Sequence, residues 1–240
     1  MKFTLSRREL LASMLFASTD DSRYTLCGVL IETHIGNRPT LITTDGRRLA
    51  VIETTADQSD PDSAEAAFLL RSEILRPLCA LSKALGGKTF PWIEFTATLG
   101  NRDIGIAFVG SKCSIRIEDG IFIDGAYPNW RKVLPPKKAP RRPISDLGIN
   151  SDFMADFSKA AKIMESASPV LQMNLIGQDD AIEVRITTQP NFYALLMPCK
   201  TDDSLEYQPE FVSIVKDLPV KQEAEKESEE EAELEGKNER

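Results

Sequence analysis

The feature that most constrains this chain is a unit that recurs three times, at a spacing of about 50–65 residues. Each copy reads as a short strand, one helix, and then two or three strands. In the first copy, a strand is predicted over residues 2–5. Ser6 followed by Glu9 has the form of a capping box, in which each side chain satisfies a free backbone N–H of the other. Leu10, Leu11, Met14 and Leu15 then recur at helical spacing, and apolar strand runs follow at 24–32 and 40–44. A turn at Asp45-Gly46 leads into a strand over 48–53.

The second copy opens with a strand at 66–70. Ser72 is its expected N-cap, Gly86-Gly87 its stop, and Ile74, Leu75, Leu78, Leu81 and Leu85 its apolar face. Pro77 is expected near the first turn, where the missing N–H does least damage. Three strands alternate with period two, through Ile93, Phe95, Ala97 and Leu99, then Ile104, Ile106 and Phe108, then Cys113, Ile115 and Ile117. The third copy begins at 146–149, with Asn150 or Ser151 as cap. Its helix carries Phe153, Met154, Phe157, Ala160, Ala161 and Met164, and its strands fall at 171–176, 181–186 and 192–197. The segment 135–143, rich in proline and basic residues, cannot be helical and reads as a linker. One helix against antiparallel strands, three times over, predicts an α+β fold.

Charge is unevenly spread along the 240 residues. The formal net charge is −8, but residues 221–240 hold nine Glu against three Lys and one Arg, leaving −3 for the rest. Acidity therefore does not exclude a nucleic-acid partner. With 42% hydrophobic residues the chain can build a sizeable core. Residues 221–240 lack a core-forming pattern and read as an acidic disordered tail or a solvated helix. Residues 201–220, with an apolar run at 211–215, are an uncertain extension. It reads as a packed strand or short helix, or as a free peptide motif.

No apolar stretch approaches the roughly 20 residues needed to span a bilayer. Ser6-Arg7-Arg8-Glu9-Leu10-Leu11 has the look of a twin-arginine export signal, but the apolar run is short and meets Asp20 and Asp21, so a surface helix start is expected. Cys27, Cys79, Cys113 and Cys199 form no CxxC pair, which argues against zinc and for buried, reduced thiols in the cytoplasm.

Residues able to carry catalysis are few. His34 is the only histidine, with no nucleophile beside it in the sequence. Neither a phosphate-binding loop nor a dinucleotide fingerprint is present. The acid pairs Asp20-Asp21, Asp179-Asp180 and Asp202-Asp203 read as turn residues. No enzyme activity, metal or cofactor is expected. The helices are more suggestive: Arg7 and Arg8 on the first, Arg71, Arg76 and Lys83 on the second, and Lys159 and Lys162 on the third. Lined up on one side of a layered sheet, these would track phosphates without reading sequence; ordinary solvated helix faces are the simpler alternative.

Two segments carry a resemblance. The first is Arg23-Tyr24-Thr25-Leu26-Cys27-Gly28-Val29-Leu30-Ile31-Glu32, followed by Thr43-Thr44-Asp45-Gly46-Arg47-Arg48-Leu49-Ala50-Val51. The second is Phe122-Ile123-Asp124-Gly125-Ala126-Tyr127-Pro128-Asn129-Trp130-Arg131-Lys132-Val133-Leu134-Pro135. Together they resemble the bacterial DNA polymerase III β sliding clamp, whose middle domain carries an R-Y-x-L-x-G-x-L-x-E strand, a T-D-G-H-R-L-A-V turn and a D-G-x-F/Y-P-D-Y-R-R-V-L-P bridge in that order. Residues 192–200 resemble the end of the same family. The resemblance implies clamp repeats, each a half-domain. Residues 1–135 would match the middle domain, 136–145 a linker, and 146–200 half of the last domain. A family ring holds twelve repeats, so four such chains would close one.

The resemblance also implies partners and sites. The expected function is a processivity factor in the cytoplasm, associated with the nucleoid, that encircles or cradles duplex DNA. It would engage polymerases and clamp loaders through short peptides and would assemble as a homo-oligomer, without membrane contact. The alternative is an adaptor, decoy or regulator that binds such peptides without forming a ring. The peptide pocket would use Leu26, Thr44, Gly46, Arg47, Arg48, Leu49, Pro128, Lys132, Val133, Leu195, Met197 and Pro198. Apolar residues would supply a concave floor, and Arg and Lys a polar rim. Arg47 stands where the family has His, and Lys132 where it has Arg. DNA contact would fall on the helix cations together with Arg23 and Tyr24.

Overall fold

The computed structural model describes residues 2–34, 38–56, 65–86, 92–97, 103–118, 120–136, 140–144, 147–168 and 170–200. The acidic tail, the 201–220 extension, Asp146, Gly87, Leu99 and the Asp202-Asp203 pair lie outside the described residues.

The first copy is strand β1 (Lys2–Ser6), helix α1 (Arg7–Ser13) and a meander of β2 (Gly28–Thr33), β3 (Thr40–Thr44) and β4 (Arg48–Glu53). The second is β5 (Ala66–Arg71), α2 (Ser72–Gly86), β6 (Trp92–Ala97), β7 (Asp103–Phe108) and β8 (Ser114–Glu118). The third is α3 (Ser151–Ile163), β9 (Leu171–Asn174), β10 (Ile182–Ile186) and β11 (Phe192–Leu196), preceded by a single bridge from Gly148 to Cys199.

Copies one and two exchange their opening strands. β1 joins the second copy's meander, giving a four-stranded sheet in the order β1-β6-β7-β8. β5 joins the first copy's meander along β2, with Leu30 opposite Leu69. Beyond β4 that sheet continues into the third copy, in the order β5-β2-β3-β4-β11-β10-β9. The inward residues follow the pleat: Ile93, Phe95 and Ala97 on β6 and Ile104, Ile106 and Phe108 on β7 are all buried. Phe3 of β1 stacks on Phe95 at 5.3 Å and on Phe68 of β5 at 5.5 Å, so the two exchanged strands meet inside the core. Asn150 caps α3 by accepting from the N–H groups of Asp152 and Phe153.

Several expectations fail for local reasons. The apolar run at 24–32 is not one strand. A 3-10 helix spans Asp21–Leu26, and β2 begins only at Gly28. Gly28 is needed there, because a Cβ would lie 2.5 Å from Ile123 Cδ1 and 2.7 Å from the Leu70 carbonyl oxygen. The capping box does not form: Ser6 makes no capping hydrogen bond. Nor is α1 a surface helix, since Arg7, Glu9, Leu10, Ala12 and Ser13 are buried. The Glu9 carboxylate reaches across to the end of β4 and to the β10–β11 turn. It accepts from Thr54 Oγ1 at 2.8 Å, Thr55 N at 3.0 Å and Asn191 Nδ2 at 2.9 Å. Ser72 is the first residue of α2 and leaves its buried hydroxyl unpaired, while Pro77 falls in the second turn. Of the four free cysteines only Cys79 is buried; Cys27, Cys113 and Cys199 are partly exposed. The described part of the linker docks on the third copy, with Arg142 N donating to the Ile176 carbonyl and its guanidinium paired with Asp180.

Candidate peptide-binding site and helix cations

The seven-stranded sheet has a second apolar face. Leu30, Ile42, Leu49, Leu69, Ile123 and Leu195 form a small core there, flanked by Val51, Tyr127, Trp130 and Leu134. The segment from Ile121 to Leu134 covers most of this face and ends in a 3-10 helix, Trp130–Val133. What it leaves open is a cavity of about 190 Å³ at the seam between copies one and three.

The seam sets the cavity's floor. β4 and β11 run antiparallel with Leu49 directly opposite Leu195, and Met197 N continues the ladder by donating to the Arg47 carbonyl at 2.9 Å. Ten of the twelve expected residues line this one cavity: Leu26, Thr44, Gly46, Arg47, Arg48, Leu49, Pro128, Val133, Leu195 and Met197. Lys132 and Pro198 do not line it. Lys132 is exposed on the Trp130–Val133 3-10 helix, and Pro198 lies past the point where β11 leaves the seam. Asn129, Trp130 and Ala181 also line it and were not expected. Trp130 sits within the bridge segment, and an aromatic there was a readable signal.

The Thr44–Arg48 turn is held by its own side chains. Asp45 Oδ1 accepts from the N–H groups of Arg47 and Arg48 at 2.8 and 2.7 Å, and Gly46 takes φ +86°, which glycine adopts without strain. Arg48 was expected at a polar rim but is only 7% exposed. Its Nε donates to Asp45 at 2.9 Å and one terminal nitrogen to Asp156 at 2.7 Å, and its guanidinium lies over Phe153 at 4.3 Å. It therefore ties the turn to α3 and is not free to meet a ligand. Burial pushes the Asp156 carboxyl up, but hydrogen bonds from Lys159 and Arg48 outweigh it and hold the group below its ordinary value. Arg47 remains as the exposed cation of the turn.

A second network fixes Trp130. Arg131 makes two bonds to Glu32, at 3.0 and 2.6 Å, and stacks on Trp130 at 4.3 Å, while Trp130 Nε1 donates to the same carboxylate at 3.3 Å. Burial alone would raise Glu32; these donors bring it below its usual value.

The helix cations fare differently. Arg7 is buried and Arg76 donates to the Met14 carbonyl at 2.9 Å. Arg8 pairs with Glu165 at 2.5 Å and Lys159 with Asp156 at 2.8 Å, whereas Arg71 stands 3.9 Å from Glu73. Arg23 pairs with Asp20 and donates to the Asp45 carbonyl at 3.0 Å, so it supports the turn. Lys83 and Lys162 are exposed, and Tyr24 is 52% exposed. The helix cations thus divide: Arg7 is buried, Arg8, Arg71, Arg76 and Lys159 have partners within the chain while staying at least partly exposed, and Lys83 and Lys162 are exposed. Among the described residues no three or more His, Cys, Asp or Glu side chains gather as metal ligands, and no helix is long and apolar enough to cross a membrane.

No protein-family model matches the sequence, and no curated protein matches it either. Solved structures do. The DNA polymerase III β subunit of Thermotoga maritima superposes with a TM-score of 0.62 at 16% identity, covering 84% of this chain and 66% of that one. The β subunit of Borrelia burgdorferi, solved with a natural product, gives 0.61 at 12% identity, with 84% and 65% covered. The sliding clamp of Bacillus subtilis gives 0.60 at 12%, with the same coverage. The chain spans just under two thirds of these proteins' own length. Antiparallel meanders with exchanged opening strands, few helices and this set of structural neighbours give one conclusion: over that length, the chain has the fold of the bacterial DNA polymerase III β sliding clamp.

Proposed function

We propose that this chain is a clamp-like processivity factor, without catalysis of its own, that receives a short linear peptide of a polymerase or repair protein in the cavity at the β4–β11 seam. The observation that carries the reading is the cavity itself. Its floor is Leu49 and Leu195, its walls Leu26, Pro128, Trp130, Val133 and Met197, and its rim carries Arg47. A concave apolar floor with one exposed cation suits two bulky apolar side chains of an extended peptide and one polar or acidic group beside them. Met197 can adjust to several such peptides.

Val133 is 57% exposed, so Val133→Asp should leave the fold intact while placing a carboxylate on the cavity wall. Binding of a fluorescent peptide from a cognate polymerase, followed by anisotropy, should weaken at least tenfold, about 1.4 kcal/mol. Unchanged affinity would sink the pocket. Retention on circular DNA, and longer primer extension on singly primed circles, tests the processivity half of the proposal.

A second reading, a peptide-binding adaptor that does not encircle DNA, is favoured by one observation. Arg7, Arg8, Arg76 and Lys159 are buried or already bonded within the chain. Peptide binding without DNA retention would select it.

A further inference from the structure

Copies one and two show what completes a meander in this chain. The outer edge of β6 is paired by β1, and that of β2 by β5; each opening strand runs antiparallel to the first strand of the other copy's meander. β5 also meets, on its other edge, the segment following its own meander, through the Leu70–Phe122 bridge. Residues 147–149 repeat half of this arrangement. They lie directly before the Asn150 cap of α3, as β1 and β5 lie directly before α1 and α2. They also bridge the segment after their own meander, Gly148 to Cys199. The other half is missing. β9 is an edge strand, and among the described residues no strand pairs with its outer side. The docked linker reaches only the far end of β9: Arg142 N donates to the Ile176 carbonyl, and the Arg141 guanidinium donates to Asn174 Oδ1 at 3.2 Å, which leaves Leu171 and Met173 without a neighbouring strand on that side among the described residues.

Burial records the same gap. Phe3 and Leu5 on β1, and Phe68 and Leu70 on β5, are buried; their counterparts Leu147 and Ile149 are only partly so. Leu10 and Leu75, three residues into α1 and α2, are fully buried, whereas Met154 at that position of α3 is half-covered. Leu171 and Met173 stand opposite Ile186 and Val184, on the core face, yet remain partly exposed while those partners are buried.

We propose that the third copy is completed by the third copy of a second chain, each donating residues 147–149 to the other's β9. The occupant must be a strand of alternate apolar residues leading straight into a helix, and this chain carries one with nothing on its free edge among the described residues. The exchange is self-complementary, so a two-fold dimer satisfies both edges at once. The register follows from the internal precedents. Leu5 faces Ile93 and Phe3 faces Phe95, which places Ile149 opposite the partner's Leu171 and Leu147 opposite its Met173. Phe3 and Phe68, equivalent residues of the two exchanged strands, stack on one another, so Leu147 should meet its own copy near the two-fold axis.

The test is the mass of the full chain in solution by light scattering. The expected value is twice 26.7 kDa, or four times if dimers pair, and Met173→Asp should halve it while circular dichroism stays that of the parent. Leu147→Cys, treated with a short bis-maleimide, should give chains linked in pairs beyond the background of the native cysteines. That readout stands even if Met173→Asp fails to fold. A single-chain mass at the highest soluble concentration overturns the proposal. So does an oligomer indifferent to Met173→Asp, or a folded Leu147→Cys chain that does not cross-link. None of these readouts depends on peptide or DNA binding, so this inference and the functional reading fail separately.

Discussion

Glu9 offers a direct contest between two accounts of one residue. As the third helical residue after a serine it would close a helix cap, and Glu9→Ala would then cost about 1 kcal/mol or less. In the folded chain Glu9 is 4% exposed and its carboxylate holds Thr54 Oγ1, Thr55 N and Asn191 Nδ2. Hydrogen bonds to a charged group contribute about 1.5–3 kcal/mol each, and a buried group left unpaired costs about 1–3 kcal/mol. The Glu9→Ala losses do not simply add. Asn191 keeps a bond to the Glu53 carbonyl, and Thr54 Oγ1 keeps its contact with Ala56 N. Thr55 N loses its carboxylate. The expected loss is about 3–5 kcal/mol, roughly two to four orders of magnitude in the folding equilibrium. Ser6→Ala, which removes no capping bond, should cost under about 0.5 kcal/mol. Urea unfolding of the full chain, followed by circular dichroism, reads both. A Glu9→Ala chain within about 1 kcal/mol of the parent, or a Ser6→Ala chain that loses as much, would refute the clasp.

Two further outcomes follow from the packing and the charges. Gly28→Ala should destabilise by about 2 kcal/mol or more, because the Leu70 carbonyl 2.7 Å from the new Cβ belongs to a paired strand and cannot retreat; a neutral result in the same urea assay would contradict the close approach. Asp156 is held below its ordinary value of 3.8, so its contribution is present above that value and is lost as pH falls through the lower folded one. Stability should therefore drop below about pH 4, and Asp156→Asn should flatten that part of the pH profile; an identical slope in the variant would remove Asp156 from the account.

What could be read in the sequence was local. Strand alternation through Ile93, Phe95 and Ala97, the Asp45-Gly46 turn, and the Asn150 cap depend on neighbours a few residues away, and each takes the expected form. The cavity was legible because its walls come from short motifs with a fixed order. What was not legible depends on partners far along the chain. Arg7 reads as a surface cation, Glu9 as a local cap and Arg48 as a rim charge, yet all three are buried, and Arg48 and Glu9 are bonded to residues 108 and 182 positions away. The 3-10 helix Asp21–Leu26 was hidden for another reason: Tyr24 and Leu26 mimic strand alternation, while Asp20 starts a turn by accepting from Ser22 N. Residue type alone does not reveal that Arg8 and Lys159 pair with Glu165 and Asp156, or that Arg76 donates to the Met14 carbonyl.

The seam under the cavity has a thermodynamic consequence. Leu49 and Leu195 lie 146 positions apart and touch the same cavity only while β4 and β11 are paired. A molecule bound there recognises the paired state alone, so its binding energy adds to the stability of that pairing as RT ln(1 + [L]/Kd). At a hundredfold excess over Kd this is about 2.7 kcal/mol. A ligand of that cavity would thus act as a removable cross-link between the first and third copies, and its occupancy would register as a rise in melting temperature.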